Sequence, residues 1–148
     1  MKEKFITYYM NIAEETAKLS SAIRLKAGCI AVKDNRILSI GYNGTVSGWS
    51  NVCEEVIDGN LITKQEVLHA EMNCLMKLCQ SHESSLGATL FITHSPCIHC
   101  SKAIYQAGIK RVIYKHDYRL PDGINFIKKC NDIVIEKYDD IIGKKLNL

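Results

Sequence analysis

The sequence of 148 residues has no apolar run long enough to span a bilayer, so no membrane helix is expected. It also has no block of like charge. Lysines and arginines are spread along the chain with a thin excess toward the C-terminus, and the net charge is only +3. A nucleic-acid groove shows a clustered basic face. None is legible here, so no nucleic-acid partner is expected, while small anionic ligands stay compatible. Residues 1–15 are charged and amphipathic rather than apolar, which gives no sign of a secretory leader. No internal repeat and no linker composition interrupts the chain, so residues 1–148 are expected to form one domain. The 7 cysteines are odd in number and lack the regular spacing of a disulfide framework. That favours a reducing, cytoplasmic setting, where cysteine pairs bind metal or do chemistry.

What is present suits a folded globule. Apolar residues make up 47% and charged residues 24%, which argues against disorder. Residues 3 to 19 have apolar side chains at helical spacing: Phe5, Tyr8, Tyr9, Ile12, Ala13, Thr16 and Leu19. Residues 28 to 32 and 37 to 42 are expected to form a hairpin, preceded by a loop that carries Arg24 and Lys26. Residues 45 to 65 are expected to be a long polar connection, a candidate lid or effector loop. A helix is expected over 66 to 80, with Leu68, Met72, Leu75, Met76 and Cys79 as its stripe and Leu78 beside it. A buried strand at 88 to 93 leads to Pro96, expected to open a helix over 97 to 107 that Gly108 closes. Strands at 110 to 114 and 132 to 137 flank a loop at 116 to 122 and a short helix at 123 to 130. The tail after Tyr138 is polar and carries no readable role. This alternation predicts right-handed crossovers and a three-layer α/β domain around a mixed sheet of about five strands.

Chemistry concentrates in His69-Ala70-Glu71 and Pro96-Cys97-Ile98-His99-Cys100. His69, Cys97 and Cys100 offer one nitrogen and two thiolates, the donor set of a catalytic zinc that keeps its fourth position open. Cys97 and Cys100 are three residues apart, so their sulfurs share one face of a first helical turn. Glu71 is close enough to move a proton without being a ligand. Residues two apart on a regular helix point about 200° away from each other. Glu71 can therefore share the metal with His69 only if His69 stands at the very start of its helix. A closed zinc site with His99, His94 or Cys74 as fourth ligand is the competing reading, but it would leave Glu71 without work. Cys29, Cys74, Cys79 and Cys130 fall on apolar faces and are expected in the core. Cys53 lies in the polar connection, where a second structural metal shared with a histidine is an alternative. The Gly41-Tyr42-Asn43-Gly44 turn permits a bend near a ligand, though an Asn-Gly turn is also simply a turn.

The order H-x-E then P-C-x-x-C is the general signature of zinc deaminases. At these residues the chain resembles the cytidine/deoxycytidylate deaminase superfamily, most closely the deoxycytidylate (dCMP) deaminases, the short phage type included. Residues 28–32, the 41–44 turn, residues 69–73 and 96–100, the 106–112 junction and His116-Asp117-Tyr118-Arg119 carry the resemblance, which covers nearly the whole chain. Cys74 and the 46–65 stretch depart from the usual pattern.

The resemblance implies a cytidine-deaminase-like α/β/α fold, one catalytic Zn2+ per chain and hydrolysis of dCMP to dUMP and ammonia, supplying dUMP for thymidylate synthesis. Zinc-activated water attacks C4 of cytosine, and Glu71 protonates N3 and then the leaving amine. The carbonyl of Ser95 or its neighbours would orient the amine and Asn43 the deoxyribose, with Gly44, Thr45 and Ala70 completing the contacts. Arg24, Lys26 and Arg119 are candidate phosphate ligands, the two arginines ranking first for their forked donors. Tyr118 either stacks near the base or relays effector binding. A homo-oligomer, typically a hexamer, activated by dCTP and inhibited by dTTP with Mg2+ on the triphosphate, is also implied. The alternatives are a deaminase of tRNA adenosine or free cytidine, and a zinc-stabilised nucleotide-binding module without catalysis.

Overall fold

A computed structural model describes residues 1–144. The chain opens with helix α1 (Glu3–Ala17), followed by the hairpin β1 (Gly28–Lys33) and β2 (Arg36–Tyr42). A second, small hairpin follows, β3 (Glu54–Ile57) and β4 (Asn60–Thr63). Then come α2 (Ala70–Cys79), β5 (Thr89–His94), α3 (Ile98–Gln106), β6 (Arg111–His116), α4 (Asp122–Lys129), β7 (Val134–Lys137) and α5 (Tyr138–Gly143).

The central sheet has five strands in the order β2-β1-β5-β6-β7. β1 runs antiparallel to both β2 and β5, whereas β5, β6 and β7 are parallel, which makes the expected mixed sheet. Period-two alternation splits each strand between two cores. Ile30, Val32, Phe91 and Ile113 point to one face, where they pack on Ile6, Tyr9, Met10 and Ala13 of α1, with Tyr138 and Ile141 of α5 at the edge. Cys29, Ala31, Leu90, Ile92 and Val112 point to the other, onto Cys74, Leu75 and Leu78 of α2, Ile104 of α3 and Ile127 of α4. Three layers result. Gly28 and Gly41 let the outer helices press close, since a Cβ at Gly28 would strike the backbone of Ala13 and Ala17, and one at Gly41 the backbone of Ala70 and Cys74.

Several expectations need correction. Residues 45–65 are not a plain connection, because Asp58 and Gly59 both take positive φ (51° and 77°) and close the β3–β4 hairpin. Such a two-residue turn matches the twist of the strands it joins. Helix α2 begins at Ala70 rather than at residue 66, since His69 is extended (φ −70°, ψ 157°). Its buried face is Glu71, Cys74, Leu75 and Leu78, while Met76 is exposed and so is Cys79. Helix α1 is rotated in the same way: Ile6, Tyr9, Met10, Ala13, Thr16 and Ala17 are buried, and Tyr8 and Leu19 are exposed. Helix α3 runs over Ile98–Gln106, one residue shorter at each end than expected, with Cys97 as its N-cap and Pro96 just ahead of it. Part of the polar tail forms α5, and residues 145–148 lie outside the described residues. No helix among the described residues is long and apolar enough to cross a membrane.

Candidate active site

Two helix starts face each other across the carboxyl end of β5. One is His69, the N-cap of α2; the other is Cys97, the N-cap of α3. The extended backbone at His69 meets the geometric demand of the sequence, because its side chain leaves before the helix winds and Glu71 follows in the first turn. That start is pinned from outside. Gly44 and Leu68 exchange two backbone hydrogen bonds, and Asn73 Nδ2 donates to the carbonyl of Tyr42 at 2.7 Å. Cys97 Sγ accepts from the N–H of Cys100 at 3.4 Å, so the α3 start is capped by a sulfur. α4 backs this turn, since a Cβ at Gly123 would strike Pro96 O and Ser101 Oγ.

His69 Nδ1 stands 3.5 Å from both Cys97 Sγ and Cys100 Sγ. A tetrahedral zinc with sulfur at about 2.3 Å and nitrogen at about 2.0 Å requires an S···N edge of about 3.5 Å. Both N···S edges therefore match a zinc site, and the three donor atoms all lie within 4.8 Å of one another. Among the described residues no fourth histidine, cysteine or carboxylate joins the group, so one coordination position is left for an outside ligand. His94, His99 and Cys74 are thus not in it, and Cys53 donates to Asn51 O instead of joining a second metal set.

The protonation pattern suits the same use. Cys97 is held down to about 3, chiefly by a hydrogen bond from Cys100 and further by His69, against the effect of burial. Cys100 is pushed up by donating to Cys97 and by burial. His69 is raised mainly by its contact with Cys97. Glu71 is buried, and burial is the main cause that lifts its carboxyl to about 7, against the pull of its own backbone N–H and of His69. A carboxyl poised near neutrality can both take and give a proton.

A cavity of about 460 Å³ opens over this centre. Glu71, Ala70, Ser95 and Cys97 line it with His69, and Arg24, Asn43, Tyr118 and Arg119 line it too. Lys26, Gly44 and Thr45 are not in its lining. Gly44 serves the Leu68 bridge, and Thr45 Oγ1 donates to Ser50 O. Asn43 has its amide engaged with the chain, accepting from Ala27 N and donating to Leu25 O, so it clamps the loop before β1. Ser95 Oγ accepts from Tyr118 N at 2.7 Å and so fixes the 116–119 loop, where Arg119 Nη2 reaches Tyr118 Oη at 3.3 Å. Glu54, Thr63 and Val67 also line the cavity and were not anticipated; His94, named only as an alternative metal ligand, and His116 and Asp117 of the loop that carries the resemblance line it as well. The Asp58-Gly59 pair was the signal that could have brought Glu54 and Thr63 into view.

The family model of the cytidine and deoxycytidylate deaminase zinc-binding region matches residues 3–116. The chain belongs to the cytidine and deoxycytidylate deaminase family. Among curated deaminase relatives, the deoxycytidylate deaminase of Mycobacterium phage D29 is 36% identical over 118 residues, covering 72% of this chain and 91% of that protein. ComE operon protein 2 of Bacillus subtilis (strain 168) is 36% identical over 115 residues, 76% of this chain, and the matched part spans only 59% of that protein's length. The crystal structure of dCMP deaminase from the cyanophage S-TIM5 in complex with dCMP and dUMP superposes with a TM-score of 0.86 at 46% identity, covering 93% of this chain and 98% of that one.

Proposed function

We propose that this deaminase hydrolyses dCMP to dUMP and ammonia, supplying dUMP for thymidylate synthesis. The observation that carries the reading is one cavity of about 460 Å³ that holds both the His69/Glu71/Cys97 group and two arginines, Arg24 and Arg119. Its size suits a nucleotide, since small-molecule sites run to about 300–1,000 Å³. The complex of the cyanophage protein with dCMP and dUMP supports the same substrate.

His69, Cys97 and Cys100 would hold zinc. Zinc bound there supplies a water whose pKa is brought to about 7. Glu71 takes a proton from the attacking water and delivers it to N3 of the cytosine. It then carries the second proton to the nitrogen on C4. The C4–N bond breaks, ammonia leaves and C4 keeps the oxygen. The Ser95 backbone carbonyl orients the amine, and Asn43 stands at the sugar through the loop it clamps. Arg24 and Arg119, on the exposed side, take the 5′-phosphate; Tyr118 supports Arg119 with its ring, 5.4 Å from the guanidinium carbon. Lys26 has no place in this account.

We read residues 1–148 as one domain of a homo-oligomer, a hexamer by the family resemblance, activated by dCTP and inhibited by dTTP with Mg2+ on the triphosphate. The 7 cysteines all stand free, which suits the cytoplasm. Incubating the zinc-loaded protein with dCMP tests the reading. Equal amounts of dUMP and ammonia are expected, with the rate raised by dCTP and lowered by dTTP. Turnover of tRNA adenosine or free cytidine with none of dCMP would overturn it.

A further inference from the structure

Residues 21–26 make no backbone–backbone hydrogen bond among themselves or with other described residues, yet they carry Arg24 into the cavity. Side chains hold the segment instead, beginning with Ser20 Oγ, which accepts from Ala22 N at 3.1 Å. Asn43 clamps its far end at Leu25 and Ala27. Its middle is held by Glu54, whose Oε1 accepts from the backbone N–H of Ile23 at 2.8 Å and of Arg24 at 3.1 Å. Glu54 is only 6% exposed. Burying a carboxylate is costly unless hydrogen bonds repay it, and these two N–H groups do so. Directly opposite Glu54 in the β3–β4 ladder stands Thr63, and its Oγ1 accepts from Arg24 Nη1 at 3.2 Å. Residues paired across an antiparallel ladder project to the same face. One cross-strand pair thus grips Arg24 at both its main chain and its guanidinium.

We infer that Glu54 is a positioning residue for phosphate recognition, acting through Arg24, with Thr63 as its cross-strand helper. The small hairpin is then a scaffold that sets the direction of one arginine. This rests on the dCMP reading above, in which Arg24 meets the phosphate. A carboxylate cannot itself bind phosphate, so its effect on a phosphorylated substrate must pass through the cation it places.

The test is a double-mutant cycle read on dCMP and on deoxycytidine, using the zinc-loaded full chain. Glu54→Ala is expected to raise KM for dCMP roughly tenfold, the scale of a lost hydrogen bond to a charged group, with kcat held within about twofold. KM for deoxycytidine stays unmoved. In an Arg24→Ala background the same change adds less than about twofold, because the residue it acts through is gone. Glu54→Gln, which keeps an acceptor oxygen, restores part of the loss. Additive effects in the cycle, or an equal loss on deoxycytidine, would overturn the inference while leaving the dCMP reading intact. Should Glu54→Ala not fold, Thr63→Val carries the same cycle with the same criteria. A wild-type protein that does not turn over dCMP refutes the functional reading, and this inference falls with it.

Discussion

At the buried end of the cavity, Glu71 and Cys100 sit in the first turns of two helices, whereas at the exposed end Arg24 and Arg119 sit on loops. The helix starts are fixed by backbone hydrogen bonds and by capping: Gly44 to Leu68 on one side, Cys100 N to Cys97 Sγ on the other. The loops are held by side chains brought from distant segments: Asn43 and Glu54 for residues 23–27, and Ser95 for Tyr118. In the proposed function the buried end would carry the proton and metal chemistry on helix starts, and the exposed end would select the substrate on loops that a few substitutions can loosen. Changes at the first should reach kcat and changes at the second KM.

Glu71→Gln has the largest expected effect. A general acid–base contributes about 10²- to 10⁴-fold, so kcat should drop on that scale while metal analysis still finds about one zinc per chain. Survival of full activity would remove Glu71 from the reaction. Next comes Arg119→Ala, which should raise KM for dCMP by roughly tenfold with little change in kcat, as befits a lost charged hydrogen bond. Lys26→Ala, outside the cavity lining, serves as its neutral partner; a matching rise there would erase the distinction between the two cations. Gly123→Ala strikes the turn behind Cys97, and overpacking of this kind costs about 1–3 kcal/mol. A fall in melting temperature with weaker zinc retention in dialysis should follow, whereas an unchanged melting curve would show that α4 yields. The smallest effect belongs to Asp58→Ala. Asp58 holds φ at 51° in the β3–β4 turn, where an ordinary residue costs about 1–2 kcal/mol. A slight loss of thermal stability is expected, with kcat unchanged.

The same contrast explains what was legible in the sequence. The candidate metal site joins two motifs that are each compact in the chain, 69–71 and 97–100, and the spacing of His69 and Glu71 called for the extended backbone at position 69 that the structure contains. The sheet could be anticipated because its central strands β1 and β5 are almost wholly buried apolar runs and β6 has an apolar middle. The helical faces of α1 and α2 were read about one position out of phase. In α2 the buried stripe includes the polar Glu71, which an apolar pattern cannot register. The hairpin over 54–63 was hidden because its strands are exposed almost throughout, with no alternation to mark them; only the turn pair Asp58-Gly59 betrays it. Lys26 illustrates the limit of reasoning from charge and proximity. It is two residues from Arg24, yet it is Arg24 that Thr63 and Glu54 aim into the cavity.

The division between a chemical end and a phosphate-reading end is tested most directly by comparing kcat/KM for dCMP with that for deoxycytidine on the same zinc-loaded protein. The two substrates differ only in the phosphate that Arg24 and Arg119 are placed to meet. Two charged hydrogen bonds of about 1.5 kcal/mol or more each imply a preference for dCMP of at least about 100-fold. Equal efficiency on the two substrates, or a preference for deoxycytidine, would contradict it.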